Sequence, residues 1–239
     1  MSTNPNRHSG LITRCLGTVR QQIAATAMRY GRDPASVKLL AVSKQQPPDA
    51  IAEAAAAGQH DFGENYLQEA LPKIAACQSL GLTWHFIGQL QSNKTRPVAE
   101  HFDWVHTVDR DKIAQRLNDQ RPHYARPLQA CIQVKLAEEE TKGGVDPDQA
   151  LALAKYMLGL PRLTLRGLMC IPPAGDSVEQ QHHYFAQLAS LQKHLNEQLA
   201  DSGTQLDTLS MGMSGDYEAA IAEGATIVRI GTAIFGERQ

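Results

Sequence analysis

A lysine stands where a buried strand should end. Lys44 closes the run Leu39-Leu40-Ala41-Val42-Ser43, and lysine is almost never fully buried without a partner. An amine drawn partly out of water loses its proton more readily and becomes a nucleophile toward a carbonyl carbon. Two further stretches, LSMGMSGDYEAAI (209–221) and VRIGTAIFG (228–236), each pass from an apolar run through small residues toward a helix. Backbone N–H groups exposed at such a passage make an anion site, so Ser214, Gly231 and Thr232 are candidates for holding a phosphate. The competing reading is that Ser214 and Thr232 only cap helices, with Asp216 and Glu218 complementing the helix dipole.

These residues need a frame that brings them together. Short apolar runs at 38–43, 60–64, 84–88, 104–108, 128–135, 163–170, 208–212 and 226–231 alternate with helix-like stretches at 49–57, 65–77, 111–119, 147–158, 178–200 and 215–223. An extra helix opens the chain, with Leu11, Ile12, Cys15, Leu16, Val19 and Ile23 at helical spacing. Alternating strands and helices give an α/β fold with a parallel sheet. Eight units in this length predict a single (β/α)₈ barrel over residues 1–239, with residues 1–8 expected to be flexible; an open doubly wound sheet is the rival.

In a closed barrel the last strand neighbours the first, and chemistry gathers at the C-terminal strand ends. A phosphate on Ser214, Gly231 and Thr232 then lies within a small molecule's reach of Lys44. Leu40, Val42 and Lys44 share one strand parity, as do Ile227, Arg229 and Gly231. With those parities inward, an amine and a guanidinium flank one pocket. A phosphorylated aldehyde suits it, and pyridoxal 5′-phosphate (PLP) is the commonest. Read singly, Lys44 is equally a snorkelling strand-end lysine, and Arg229 equally half of a buried salt bridge with Glu64.

Composition narrows the class. A formal net charge of −2 gives no electrostatic footprint for nucleic acid or an anionic membrane. Cys15, Cys77, Cys131 and Cys170 show no CxxC spacing, and the histidines, including His182-His183, show no metal-ligand spacing. No run approaches a membrane span and the polar N-terminus lacks a signal-peptide core, so a cytoplasmic protein is expected. The acidic run Glu138-Glu139-Glu140 reads as a solvated loop.

The motifs AVSK (41–44), FGENYLQE (62–69), WHFIGQLQSNK (84–94), GLMCIP (167–172), SMGMSGDYEAAI (210–221) and VRIGTAIFG (228–236) resemble, in this order and spacing, the YggS/PROSC group of pyridoxal phosphate homeostasis proteins. The resemblance runs from about Gly31 to Gly236. It implies a barrel similar to the N-terminal domain of alanine racemase, with PLP held as a Schiff base on Lys44. It further implies that Met213, Ser214, Gly231 and Thr232 hold the phosphate, that Arg229 faces the pyridine nitrogen, and that Asn65 lies beside the ring. The implied role is PLP buffering and vitamin B6 balance by a monomer, with delivery to apo PLP-dependent enzymes and no established catalysis. The alternative is a weakly active racemase-like enzyme.

Two positions depart from the family. Many relatives carry a second lysine where this chain has Gln46, and some carry Asn where it has Lys135. Lys142, in EETKGGV, matches a family lysine and is a candidate second attachment point. An arginine at the ring nitrogen keeps its own charge and leaves PLP a weak electron sink. The racemases draw a second acid/base from another domain, for which the barrel leaves no room in this chain. A Schiff-base aldolase and a protein-interaction module with an incidental pocket are the remaining rivals.

Overall fold

Strand and helix alternate along the chain as the apolar runs dictate. The computed structural model describes residues 10–137, 143–173, 175 and 177–236. Residues 1–8, Glu138, Glu139, Glu140 and Lys142 lie outside the described residues. The strands are β1 (Lys38–Val42), β2 (Asp61–Glu64), β3 (Thr83–Phe86), β4 (Trp104–Val108), β5 (Leu128–Gln133), β6 (Leu163–Met169), β7 (Thr208–Ser210) and β8 (Ile227–Ile230). All pair in parallel in sequence order, and β8 returns to β1 with Leu40 opposite Arg229. That closure excludes the open doubly wound sheet.

The helices are α1 (Leu11–Arg29), α2 (Pro48–Ala56), α3 (Leu67–Ala76), α4 (Thr95–His101), α5 (Asp111–Gln120), α6 (Ala150–Leu158), α7 (Val178–Gln198), α8 (Tyr217–Ala222) and α9 (Thr232–Phe235). Helix α4 is too short to show a periodicity, and its Pro97 is tolerated because it falls in the first turn, where no intrahelical N–H is needed. Helix α1 packs on α2, α8 and α9. It buries Leu16, Val19, Ile23 and Ala27 along one face and covers the flank that the four-residue α9 leaves open.

Each strand buries both faces, as a parallel barrel requires. Outward side chains such as Phe62, Val105, Leu168 and Val228 join the large core against the helices. Inward ones split into an apolar part (Leu40, Val42, Ile87 and Ile227) and a polar part (His85, His106, Ser210 and Arg229) beside Trp104, Cys131 and Met169. The inward parity of Leu40 and Val42 on β1, and of Ile227 and Arg229 on β8, is the one the sequence predicts. Among the described residues no helix is long and apolar enough to cross a membrane.

Candidate functional site

The C-terminal ends of β1, β2, β7 and β8 converge on one cleft of about 280 Å³, and all seven residues singled out from the sequence line it: Lys44, Asn65, Met213, Ser214, Arg229, Gly231 and Thr232. Gln46 and Gly215 also border it, and Val42, Ile87, Ile171 and Phe235 supply apolar wall. Ile87 and Ile171 went unnamed in the sequence although both follow strand ends, the position that should have marked them. Two glycines permit the close approach of neighbouring strands. A Cβ at Gly231 would stand 2.9 Å from the Val42 carbonyl oxygen, and one at Gly88 would collide with that of Asn65.

The turn carrying Lys44 is held from behind. Ser43 donates to Glu64 Oε1 at 2.6 Å, and Lys73 Nζ reaches Glu64 Oε1 at 2.9 Å and the Ser43 carbonyl at 2.8 Å. The Gln45 N–H donates to Glu69 Oε2 at 2.8 Å. Gln45 adopts φ 62°, alone among the described non-glycine residues in the left-handed region, and this tight turn follows Lys44 directly. Lys73 and Glu64 are both buried, and Glu64 Oε2 has no hydrogen-bond partner among the described residues. Burial pushes the Glu64 carboxyl above its ordinary value, beyond what Ser43 and Lys73 take back.

Opposite, Arg229 is buried and its guanidinium is tied to the barrel. Nη1 donates to the Ser210 carbonyl at 2.6 Å and hydroxyl at 3.0 Å, and Nη2 to the Cys170 carbonyl at 2.9 Å. Glu64 is engaged with Ser43 and Lys73 instead, so the salt bridge weighed for Arg229 is not formed. Among the described residues Arg229 Nε makes no hydrogen bond, although the residue lines the cleft.

The β7 and β8 loops add donors. The N–H groups of Ser214, Gly215, Thr232 and Ala233 meet no acceptor among the described residues, while that of Met213 is taken by Asp216 Oδ1. Asn65 Oδ1 is buried without a hydrogen-bond partner among them. An unclaimed amide oxygen, a cluster of unclaimed N–H donors, a buried cation and a half-buried lysine form a set of polar groups that fits the aldehyde, ring and phosphate of PLP. Among the described residues no group of three or more His, Cys, Asp or Glu side chains is placed to hold a metal.

Comparison with known proteins identifies the family. The family model "Alanine racemase, N-terminal domain" matches residues 16–239. A pyridoxal phosphate homeostasis protein of Pseudomonas aeruginosa is 56% identical over 227 residues, covering 95% of this chain and 96% of its own; the protein of that name from Escherichia coli K12 is 52% identical, covering 95% and 97%. Both bear the name of a homeostasis protein, not of an enzyme. The structure of PipY from Synechococcus elongatus PCC7942 with PLP bound superposes with a TM-score of 0.84 at 42% identity, covering 94% of this chain and all of that one. The chain therefore belongs to the alanine racemase N-terminal domain family and, within it, to the pyridoxal phosphate homeostasis proteins.

Proposed function

We propose that the cleft holds PLP and that the chain, acting as a single PLP-binding domain, stores and delivers the cofactor without turning substrates over. The convergence of an amine, a buried guanidinium and unclaimed N–H donors on one cleft carries this reading. Lys44 offers the amine for the aldehyde. Ser214, Gly231 and Thr232, with Gly215, supply the phosphate cradle, and Met213 shapes its wall, since its own N–H is engaged by Asp216. Arg229 serves the ring nitrogen, and Asn65 the side of the ring.

PLP, when bound, supplies an electron sink. An arginine that stays charged makes it a weak one. Proton traffic at a substrate carbon needs a positioned acid and base. Among the described residues lining the cleft there is no Asp, Glu, His, Cys or Tyr, and the one amine is that of Lys44. That favours a carrier. A role in PLP homeostasis is in keeping with the names of its relatives, and the protein is further proposed to work in the cytoplasm as a monomer and to pass PLP to apo PLP-dependent enzymes.

The test is an absorbance spectrum of the protein with PLP, before and after borohydride, beside Lys44→Ala. A visible band in the wild type, fixed by borohydride and lost in the variant, is the expected result. No band in the wild type removes the cofactor assignment. A band accompanied by efficient amino-acid racemisation at stoichiometric PLP keeps the cofactor and overturns the carrier role.

A further inference from the structure

Arg229 is the last member of a hydrogen-bonded line that runs down the barrel axis, away from the cleft. Ser210 Oγ, which accepts from Arg229, stands 2.8 Å from His106 Nδ1. His106 Nε2 lies 2.9 Å from His85 Nδ1, and His85 Nε2 lies 3.0 Å from Asp61 Oδ1. Ser210, His106 and His85 have no exposed surface. Asp61 also accepts from Lys38 Nζ at 3.0 Å, and both residues line a second cleft of about 300 Å³ between α1 and the N-terminal ends of β1 and β2.

The line can run in only one direction. A carboxylate accepts and cannot donate, so His85 Nε2 carries the proton. A neutral His85 then accepts at Nδ1, which makes His106 Nε2 the donor. His106 Nδ1 in turn accepts from the Ser210 hydroxyl, whose oxygen takes the Arg229 proton. Every donor meets an acceptor, and both rings stay neutral. Burial lowers His85 against the pull of Asp61 and holds His106 well below the ordinary histidine value, helped by His85, Arg229 and Lys38. The charged groups facing the two rings are Lys38 on β1, Asp61 on β2, Asp103 ahead of β4 and Arg229 on β8, and Arg166 on β6 lies over Trp104. Trp104 stacks on His85 at 5.3 Å and 10°, which fixes that ring. Among the described ion pairs none involves Arg229; the Asp216 charge acts on it through space, and this line ties it by hydrogen bonds to a second carboxylate, Asp61.

We propose that Asp61, His85, His106 and Ser210 form a hydrogen-bond relay of fixed polarity, in which His106 and Ser210 are positioning residues for Arg229, so that occupation of the cleft is felt at two histidines deep in the barrel. The relay stands on the ligand-free geometry; its response to a ligand rests on the PLP reading. Long-range ¹⁵N–¹H correlation on the histidine-labelled full chain reads the relay without cofactor. Both histidines should be neutral Nε2–H tautomers at about pH 7 and above. An Nδ1–H tautomer or a charged ring at either position overturns the relay.

PLP should then shift His106 more than His85. Two replacements divide the line: His106→Asn keeps an acceptor for Ser210, and His106→Gln keeps a donor for His85. PLP affinity should fall about tenfold further in His106→Gln than in His106→Asn, and Ser210→Ala should match the weaker variant. Equal loss in the Asn and Gln variants, with unchanged histidine signals on PLP addition, overturns the positioning role. Expected tautomers with no PLP binding by the wild type would retain the relay and discard both the cofactor reading and the coupling.

Discussion

Two buried networks meet the cleft from opposite sides and are built on different principles. Behind Lys44, the anchor is short and ionic: Lys73 and Glu64 pair between α3 and β2 at 2.9 Å, and one oxygen of that carboxylate goes unbonded among the described residues. Behind Arg229, the anchor is long and passes through two neutral rings and a hydroxyl before it reaches Asp61. The first grips backbone, at the Ser43 carbonyl, and so fixes a turn. The second grips a side chain and fixes a direction. A reacting amine needs a turn that carries it to the cleft, whereas a cation facing a ring needs an orientation that does not change when protons move.

The sharpest way to break the comparison is Lys73→Met. Removing one partner of a buried pair leaves the other charge uncompensated, at a cost of about 3–5 kcal/mol. Urea unfolding at neutral pH should show that loss, and it should shrink in acid as Glu64 takes a proton in place of its partner. The Arg229 side loses less: Ser210→Ala leaves no carboxylate unpaired and removes a hydroxyl bonded to Arg229 and His106, worth about 1.5–3 kcal/mol. Equal destabilisation by the two variants would erase the distinction between an ionic and a neutral anchor.

The two carboxylates should also titrate in opposite senses. Glu64 is raised by burial, so its contribution to stability is complete below the ordinary carboxylate value and is lost as pH rises through its folded one. Asp61 is also pushed up by burial, yet the hydrogen bonds of His85 and Lys38, with the Lys38 charge, bring it below the ordinary value. Its contribution is complete above about pH 4 and is lost as pH falls through its folded value. The stability difference between wild type and Glu64→Gln should therefore decline with rising pH, and that between wild type and Asp61→Asn should grow. The same slope for both would show that they share one environment.

The cleft was legible in the sequence because barrel geometry ties chemistry to strand ends. Lys44, Asn65, Ser214, Gly231 and Thr232 are each at or just past such an end, and inward parity selects Arg229. The anchors were not legible. Lys73 lies in an amphipathic helix, where a lysine ordinarily faces water; only the docking of α3 on β2 sets it over Glu64. His85 and His106 sit on separate strands, and their contact depends on β3 placing His85 opposite Trp104 on β4, a register that no spacing within the chain encodes. Pattern reports which face a residue takes. Partnership across elements comes from packing.

The smallest effect concerns the turn itself. Gln45 holds φ 62° while its N–H is bonded to Glu69, and a left-handed backbone costs a non-glycine residue about 1–2 kcal/mol. Gln45→Gly removes that strain but gives the unfolded chain more freedom, worth about 0.5–1 kcal/mol in the other direction. Net stability should therefore change by less than about 1 kcal/mol, within reach of a careful denaturant titration. PLP affinity separates the outcomes. If the Lys73–Glu64 anchor alone positions Lys44, the glycine variant should bind PLP as the wild type does. A several-fold loss without a loss of stability would mean that the strained turn, and not only the ions behind it, aims the amine.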